Sequence, residues 1–195
     1  MSLQRIAVFC GSGSGNGTTF VNVARRLGQT LARRGIGVVY GGAHIGLMGA
    51  VADGALESGG EVIGVIPGFL RSKEIAHTGL TELIEVESMH ARKLRMHERC
   101  DGVIALPGGF GTLEELFEVL TWGQLGLHRK PVGLLNVSGY YDALVTLLTT
   151  MTGEGFLRPE NRKLLLVENN LELLLDKMET YRPPMLKEWV SVEKT

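Results

Sequence analysis

Short apolar runs alternate along the chain with longer stretches of helical periodicity. The apolar runs lie at residues 6–10, 36–40, 61–66, 102–106, 132–135 and 164–167. The helical stretches lie at residues 20–34, 47–58, 88–99, 112–125, 140–151 and 170–181. Near-continuous apolar strands are typical of a parallel sheet that is covered on both faces. The pattern therefore predicts an α/β fold, a Rossmann-like, doubly wound and mostly parallel sheet with helices on both faces.

The length of the chain is consistent with one compact domain. A chain of 195 residues can bury a full core, because surface burial reaches about 70% near this size. The alternating pattern ends near residue 181. We expect a single nucleotide-binding domain over residues 1–182 and a C-terminal tail over residues 183–195.

Glycine-rich segments follow several of the predicted strands. They lie at residues 11–18, 41–44, 67–68 and 107–109. In a doubly wound sheet the ligand binds outside the carboxyl ends of the strands, where the strand order reverses. We expect these loops to meet at one edge of the sheet. Ser12 and Gly42, in the first two loops, are candidate ligand contacts.

The segment 107–115 reads PGGFGTLEE and joins an apolar run to a helical pattern. Glycines such as Gly109 and Gly111 let backbone N–H groups approach an anion, and a helix N-terminus adds about half a positive charge. Thr112 supplies a hydroxyl group, and Phe110 lies within the same loop. This pattern predicts a phosphate-binding site.

Glu114 and Glu115 come directly behind this glycine loop. A site that only binds anions gains nothing from a carboxylate, so a carboxylate held there indicates chemistry. Two structural alternatives stay open. Acidic residues near a helix N-terminus favour the helix dipole whatever the function, and glycines at a strand–helix turn can serve packing alone.

The helical stretch after residue 88 carries Met89, Arg92, Lys93 and Met96 on one face. The planar guanidinium of arginine suits phosphate or ribose oxygens, and methionine packs well against a flat purine. The alternative is that the methionines belong to the core and the basic side chains extend past them to solvent.

The loop motifs exclude some nucleotide sites. The first loop lacks the GxGxxG spacing, and the second strand ends in Tyr40-Gly41 rather than an acidic residue, so NAD binding is disfavoured. No GxxxxGK[ST] motif occurs, which excludes a P-loop NTPase. A mononucleotide-sized pocket remains, and we expect no bound cofactor.

Other reaction classes lack support. The five histidines are scattered without HExxH spacing, so no metal site is expected. No GxSxG motif occurs, which argues against acyl transfer by a serine nucleophile.

Charge and cysteine content restrict the partners and the compartment. The formal net charge is −1, so neither nucleic acid nor a membrane surface is an expected partner. No apolar run approaches the roughly 20 residues of a transmembrane helix, and the chain reaches an apolar strand within five residues of its start, so we expect no signal peptide. Cys10 and Cys100 lie far apart without a CxxC motif. We expect a cytoplasmic protein.

The segment 107–115 matches PGGxGTxxE, a signature of the family called LOG or "lonely guy", the cytokinin-activating phosphoribohydrolases. Residues 88–96, SMHARKLRM, resemble the family's Met-His-x-Arg-Lys signature. Segments 121–126 and 130–136 also resemble the family. The resemblance runs from about Ile6 to about Leu175.

The resemblance implies hydrolysis of the N-glycosidic bond of AMP and of N6-modified adenosine 5′-monophosphates, with release of free base and ribose 5-phosphate. It implies catalytic roles for Glu115 and Arg92. Glu115 is expected to stay ionised beside the helix N-terminus. The phosphate is expected at the glycine loop with Lys93 nearby, and Glu74 and Thr121 are further binding candidates by resemblance.

Two functional alternatives remain open at this point. One is a nucleotide- or cofactor-binding carrier without turnover, since related Rossmann-like proteins use similar glycine loops merely to hold phosphorylated ligands. The other is an NAD-dependent oxidoreductase, which the missing fingerprint disfavours. Nothing in the sequence supports the label lysine decarboxylase that some relatives have carried, because no lysine lies in a recognisable Schiff-base setting.

The resemblance also implies a homodimer whose sites draw on both chains. The helical stretch 112–125 has more apolar surface than a single sheet-facing stripe needs. Its large apolar residues are Leu113, Leu116, Phe117, Leu120, Trp122 and Leu125. The alternative is that these residues only complete the core of the monomer.

Overall fold

The protein is described here by a computed structural model covering residues 3–71 and 76–185. Within these residues the strands are β1 (Arg5–Phe9), β2 (Gly37–Tyr40), β3 (Val62–Pro67), β4 (Glu82–Val86), β5 (Gly102–Ala105), β6 (Val132–Leu135) and β7 (Leu165–Glu168). The helices are α1 (Thr19–Arg33), α2 (Gly46–Glu57), α3 (Gly68–Arg71), α4 (Met89–Glu98), α5 (Phe110–Gln124), α6 (Asp142–Gly153), α7 (Pro159–Arg162) and α8 (Leu171–Glu179).

The strands form one sheet in the order β4-β3-β2-β1-β5-β6-β7. Every neighbouring pair of these strands is parallel. The chain runs outward from β1 to β4 and then returns to place β5 on the other side of β1, with Ile6 opposite Gly102 and Phe9 opposite Ala105. The predicted Rossmann-like α/β fold is confirmed, and its switch point lies between β1 and β5.

The central strand β1 shows why the strands of this sheet are almost continuously apolar. Ile6 and Val8 point into a core covered by α1, α2 and α8, whereas Ala7 and Phe9 point into a second core covered by α4, α5 and α6. All four side chains are almost fully buried. A strand that is buried on both faces has no polar face to alternate with.

Helices α1 and α2 approach each other closely on the first face. A Cβ atom at Gly28 would lie 2.1 Å from the carbonyl oxygen of Val51, and one at Gly54 would lie 2.1 Å from that of Arg25. The two helix backbones can adopt this separation only because these positions lack side chains.

The edge strand β4 was not predicted from the sequence. It pairs only with β3, and Glu82, Leu83 and Glu85 are exposed. Its glutamates interrupt the apolar run by which the other strands were found, since an edge strand is not buried on both faces. Charged residues on such an edge also discourage pairing with another chain.

Several predicted helix boundaries are shifted. Helix α5 begins at Phe110 rather than at residue 112, and α6 begins at Asp142 because Val137–Gly139 first forms a 3₁₀ turn. The proposed tail over residues 183–195 stays a prediction, because residues 186–195 lie outside the described part of the chain. In the described ranges, no helix has the length and apolar character needed to cross a membrane.

Candidate active site

A cavity of about 320 Å³ opens at the carboxyl ends of the central strands. Cys10 and Ser12 reach it from the end of β1, and Gly41 reaches it from the end of β2. Residues 109–112 contribute the start of α5. The expectation that the glycine-rich loops meet at one edge is therefore correct, because β1 and β5 are neighbours at the point where strand order reverses.

The side wall of this cavity comes from α4. Met89, Arg92 and Met96 line it together, at the spacing that places residues on one face of a helix. Ser88 caps α4 by accepting a hydrogen bond from the backbone N–H of Ala91 at 3.1 Å, which sets where the helix begins.

The glycine loop forms the N-terminus of α5. Gly109 is the N-cap and provides no side chain to satisfy the first-turn N–H groups. A Cβ atom at Gly109 or Gly111 would meet nothing within 4 Å, so packing within the protein does not require glycine at either position. Thr112 is 4% exposed, whereas Phe110 is 93% exposed. The start of α5 thus borders the cavity with two glycines and without a side-chain cap.

Arg92 is buried and held by strand-end carbonyl groups. Its Nε donates to the carbonyl oxygen of Val65 at 3.2 Å, and its Nη2 donates to that of Gly41 at 3.0 Å. A Cβ atom at Gly41 would lie 1.9 Å from Nη2, so the guanidinium fits only beside glycine. Within residues 3–71 and 76–185, Arg92 forms no salt bridge with a carboxylate. Its charge is thus available to an anionic ligand.

Glu115 lies in the same cavity with an unusual protonation equilibrium. Burial raises the pKa of its carboxyl group to about 7, although the positive charge of Arg92 lowers it. The helix N-terminus was expected to favour the ionised form of Glu115, but the pKa of Glu115 is raised rather than lowered. Because α5 begins at Phe110, Glu115 falls in the second helical turn, beyond the reach of the helix dipole, and desolvation prevails.

Lys93 follows Arg92 on α4 but turns toward α5. Its Nζ donates to Glu114 and, at 3.0 Å, to Glu118, and its side chain is 7% exposed. Lys93 is not among the residues that line the cavity. Its ammonium group is therefore committed to two carboxylates, which differs from the predicted position beside a phosphate.

The remaining predicted contacts divide between the cavity and other places. Ser12 and Met89 line the cavity, whereas Gly42 does not and its neighbour Gly41 does. Thr121 lies farther along α5, where it lines a separate apolar groove. Its hydroxyl donates to the carbonyl oxygen of Phe117 at 2.7 Å. Glu74 lies outside the described residues.

The cavity residues that the sequence did not single out include Cys10, Gly41 and Met48. Burial raises the pKa of the Cys10 thiol, so it stays protonated near neutral pH. Cys10 and Gly41 each directly follow a strand, a position that could have identified them. Met48 is contributed by α2, and nothing in its local pattern marks it.

A smaller apolar cavity of about 210 Å³ adjoins the first and shares Gly11 and Gly109 with it. Phe20 and Tyr140 meet edge to face there, with ring centroids 5.8 Å apart. The Tyr140 hydroxyl donates to the carbonyl oxygen of Gly108 at 2.7 Å, which anchors the loop before α5.

Comparison with known proteins gives consistent relationships. A family model described as "Possible lysine decarboxylase" matches residues 48–178. A probable cytokinin riboside 5′-monophosphate phosphoribohydrolase of Oryza sativa subsp. japonica is 49% identical over 92% of this chain and 85% of its own length. A cytokinin riboside 5′-monophosphate phosphoribohydrolase of Arabidopsis thaliana is 47% identical over 92% of this chain and 84% of its own.

Among solved structures, a molybdenum cofactor binding protein from Rippkaea orientalis superposes with a TM-score of 0.68. It is 23% identical, and the match covers 92% of this chain and 98% of that one. At that level of identity the likeness shows a shared fold and no shared function. The sequence identities to the rice and Arabidopsis enzymes are decisive: the chain belongs to the LOG family of cytokinin riboside 5′-monophosphate phosphoribohydrolases.

Proposed function

We propose that the protein hydrolyses the N-glycosidic bond of AMP and of N6-modified adenosine 5′-monophosphates, and releases free base and ribose 5-phosphate. The relatives named above support this substrate class. One structural observation carries the proposal. An uncapped glycine-rich helix N-terminus, a buried arginine that has no carboxylate partner among the described residues and a glutamate of near-neutral pKa share one cavity.

The 5′-phosphate binds at the N-terminus of α5. Glycine inside a helix costs about 1 kcal/mol relative to alanine, and packing does not require Gly111. A phosphate that approaches the backbone N–H groups of residues 109–112 does require open space there. The Thr112 hydroxyl and the Arg92 guanidinium add further donors, and Ser12 also lines the cavity.

Glu115 and Arg92 carry the reaction. As the bond between C1′ and the base nitrogen breaks, the ribose approaches an oxocarbenium ion, which a carboxylate stabilises. Ionised Glu115 accepts a proton from the attacking water, whose oxygen bonds to C1′. The departing base takes up a proton, so the net reaction consumes one water. Arg92 orients the substrate and offsets its negative charge.

The purine packs against the methionines of the cavity wall. Met89 and Met96 come from α4 and Met48 comes from α2, so soft side chains bound the space from two helices. Thioethers make favourable contacts with flat rings. The exposed ring of Phe110 lies at the mouth of the cavity, where it can cover a bound nucleotide.

The direct test is to incubate the purified protein with AMP or with adenosine and to measure free adenine by chromatography. We expect release from AMP and at least a hundredfold less from adenosine, because adenosine lacks the phosphate. Equal cleavage of both would contradict the phosphate site. Binding of AMP without any release of adenine would favour the carrier alternative, and binding of NAD in preference to AMP would favour the oxidoreductase.

We also propose that the protein is a cytoplasmic homodimer with the site near the subunit interface. Phe117 and Leu120 of α5, together with Leu148, Met151 and the 86% exposed Phe156, line an apolar groove that a second copy would cover. Cys10 and Cys100 are unpaired, as expected in a reducing compartment. Light scattering tests the assembly, since a fully active species of 21.2 kDa would refute it.

A further inference from the structure

Lys93 is the cation that joins the two helices of the site. It lies on α4 and its ammonium group contacts carboxylates on α5, twenty-one and twenty-five residues away along the chain. Glu114 is more than half exposed, whereas Glu118 is mostly buried. Among the described residues, the second carboxylate oxygen of Glu118 has no hydrogen-bond partner. Lys93 therefore supplies the whole neutralising contact of Glu118.

Along the chain, Glu115 lies between Glu114 and Glu118, the two residues whose carboxylates Lys93 binds. The charged and titratable groups that act on it are Arg92 and Lys93 from α4, Glu114 and Glu118 from its own helix, and Cys10 from the end of β1. Arg92 and Lys93 favour its ionised form, and Glu114 and Glu118 oppose it. Lys93 thus acts on Glu115 through its own charge and also by neutralising both opposing carboxylates.

We propose that Lys93 is a positioning residue, which holds the start of α5 against α4 and keeps Glu115 ionised opposite Arg92, instead of binding the substrate phosphate. The inference rests on the proposed function only where it concerns turnover. The effect of Lys93 on the ionisation of the Glu115 carboxyl group does not depend on that function.

The contacts of the two neighbouring cations support this division. Arg92 donates to two carbonyl oxygens and, at 3.8 Å, to the sulfur of Met89, which are all neutral acceptors, and it lines the cavity, so its charge remains for a ligand. Lys93 does not line the cavity, and its ammonium group already has two carboxylate partners. Burial acts to lower the pKa of Lys93, but the hydrogen bonds to Glu114 and Glu118 outweigh burial and raise it. Lys93 therefore remains a cation in its buried position.

Two substitutions should move the pKa of Glu115 in opposite directions. Lys93→Met retains the chain length but removes the cation and leaves three carboxylates on the first turns of α5, so the pKa of Glu115 should rise by about one pH unit. Glu118→Gln removes an opposing charge, so the pKa should fall. Lys93→Arg retains a cation and should leave the pKa close to that of the unsubstituted protein.

The experiment is a pH titration of the Glu115 carboxyl carbon by NMR in protein labelled with ¹³C at glutamate side chains, with Glu115→Gln used to assign the signal. It needs no turnover, so it remains decisive even if AMP hydrolysis fails. Where AMP is cleaved, the acid limb of kcat/KM against pH should shift with the titration in each variant. A variant that is only misfolded would lose activity at every pH.

Binding of ribose 5-phosphate separates the two roles. Under the proposal, Lys93→Met changes its Kd at pH 8.5 by less than about threefold, because the phosphate contacts lie elsewhere. An unchanged pKa of Glu115 together with a tenfold weaker Kd would overturn the proposal and return Lys93 to the phosphate. If Lys93→Met does not fold, the pair Glu118→Gln and Lys93→Arg decides: absence of a downward shift in Glu118→Gln contradicts the proposal.

Discussion

The contact between α1 and α2 and the N-terminus of α5 both depend on glycine, but for opposite reasons. At Gly28 and Gly54 a Cβ atom would collide with backbone carbonyl oxygens at 2.1 Å. At Gly109 and Gly111 a Cβ atom would meet no protein atom within 4 Å. The first pair allows two helices to pack, so it contributes to stability. In the second pair, Gly111 lowers helix stability, and both glycines keep space for a ligand, so they contribute to function.

Arg34 and Arg92 show the same contrast. Arg34, just after α1, donates to Glu172, Asp176 and Glu179 and so fastens α1 to α8. Arg92 donates to carbonyl oxygens and to the sulfur of Met89, and in the described ranges it remains unpaired with a carboxylate. A structural arginine has its charge matched within the protein, whereas an arginine that binds an anion leaves that match to the ligand.

The largest expected effect is on catalysis. Glu115→Gln keeps the shape of the side chain and removes its charge, so the rate of AMP hydrolysis should fall by roughly two to three orders of magnitude, with AMP binding retained. Initial rates of adenine release measure the hydrolysis rate, and calorimetry measures AMP binding. Arg92→Ala should weaken binding as well as rate. Near-normal turnover in either variant would remove that residue from the mechanism.

The next effect is on folding. Gly28→Ala forces a methyl group against the backbone at Val51, so the free energy of unfolding in urea should fall by about 3 kcal/mol, while the folded fraction keeps its kcat. Gly153→Ala is the matched control, because it makes the same change near the end of α6 with nothing within 4 Å. Equal effects of the two substitutions would remove the packing argument.

The pH dependence of stability provides a third test. The pKa of Glu115 is raised from 4.5 to about 7 on folding, so its contribution to stability is full below pH 4.5 and is lost as pH rises through 7. The Glu115→Gln variant does not lose this stability as the pH rises. Relative to the unsubstituted protein, it should gain on the order of 2–3 kcal/mol between pH 4.5 and 8.

The comparison with Glu115→Gln is needed because another group acts in the opposite direction. Burial, with the charges of Lys130 and His128, lowers the pKa of His97 to about 3, so His97 favours the folded state at higher pH. Both proteins retain His97, and its contribution cancels in the difference. Parallel stability curves for the two proteins would show that Glu115 titrates normally.

The smallest expected effect is at Gly111. Gly111→Ala should raise the free energy of unfolding by up to about 1 kcal/mol and weaken AMP binding by about tenfold, because the methyl group improves the helix and obstructs the phosphate. Gly153→Ala again controls for the helix effect, with AMP binding unchanged. Urea unfolding and calorimetry measure the pair. Unaltered AMP affinity in Gly111→Ala would place the phosphate elsewhere.

Local pattern in the sequence determined most of the fold and the components of the site. The apolar runs identified every strand except β4, since strands buried on both faces need continuous apolar residues whereas the edge strand carries Glu82 and Glu85. The glycine loop before α5 and the spacing of Met89 and Arg92 on α4 were likewise visible, because each depends on neighbouring residues.

Only the tertiary structure decided how those components act. It placed Gly41 rather than Gly42 beside Arg92, and it joined Lys93 to Glu114 and Glu118 across two helices. It also raised the pKa of Glu115, where the sequence favoured the ionised form. Each of these depends on burial and on contacts between residues distant in the chain, and a local pattern carries no measure of either.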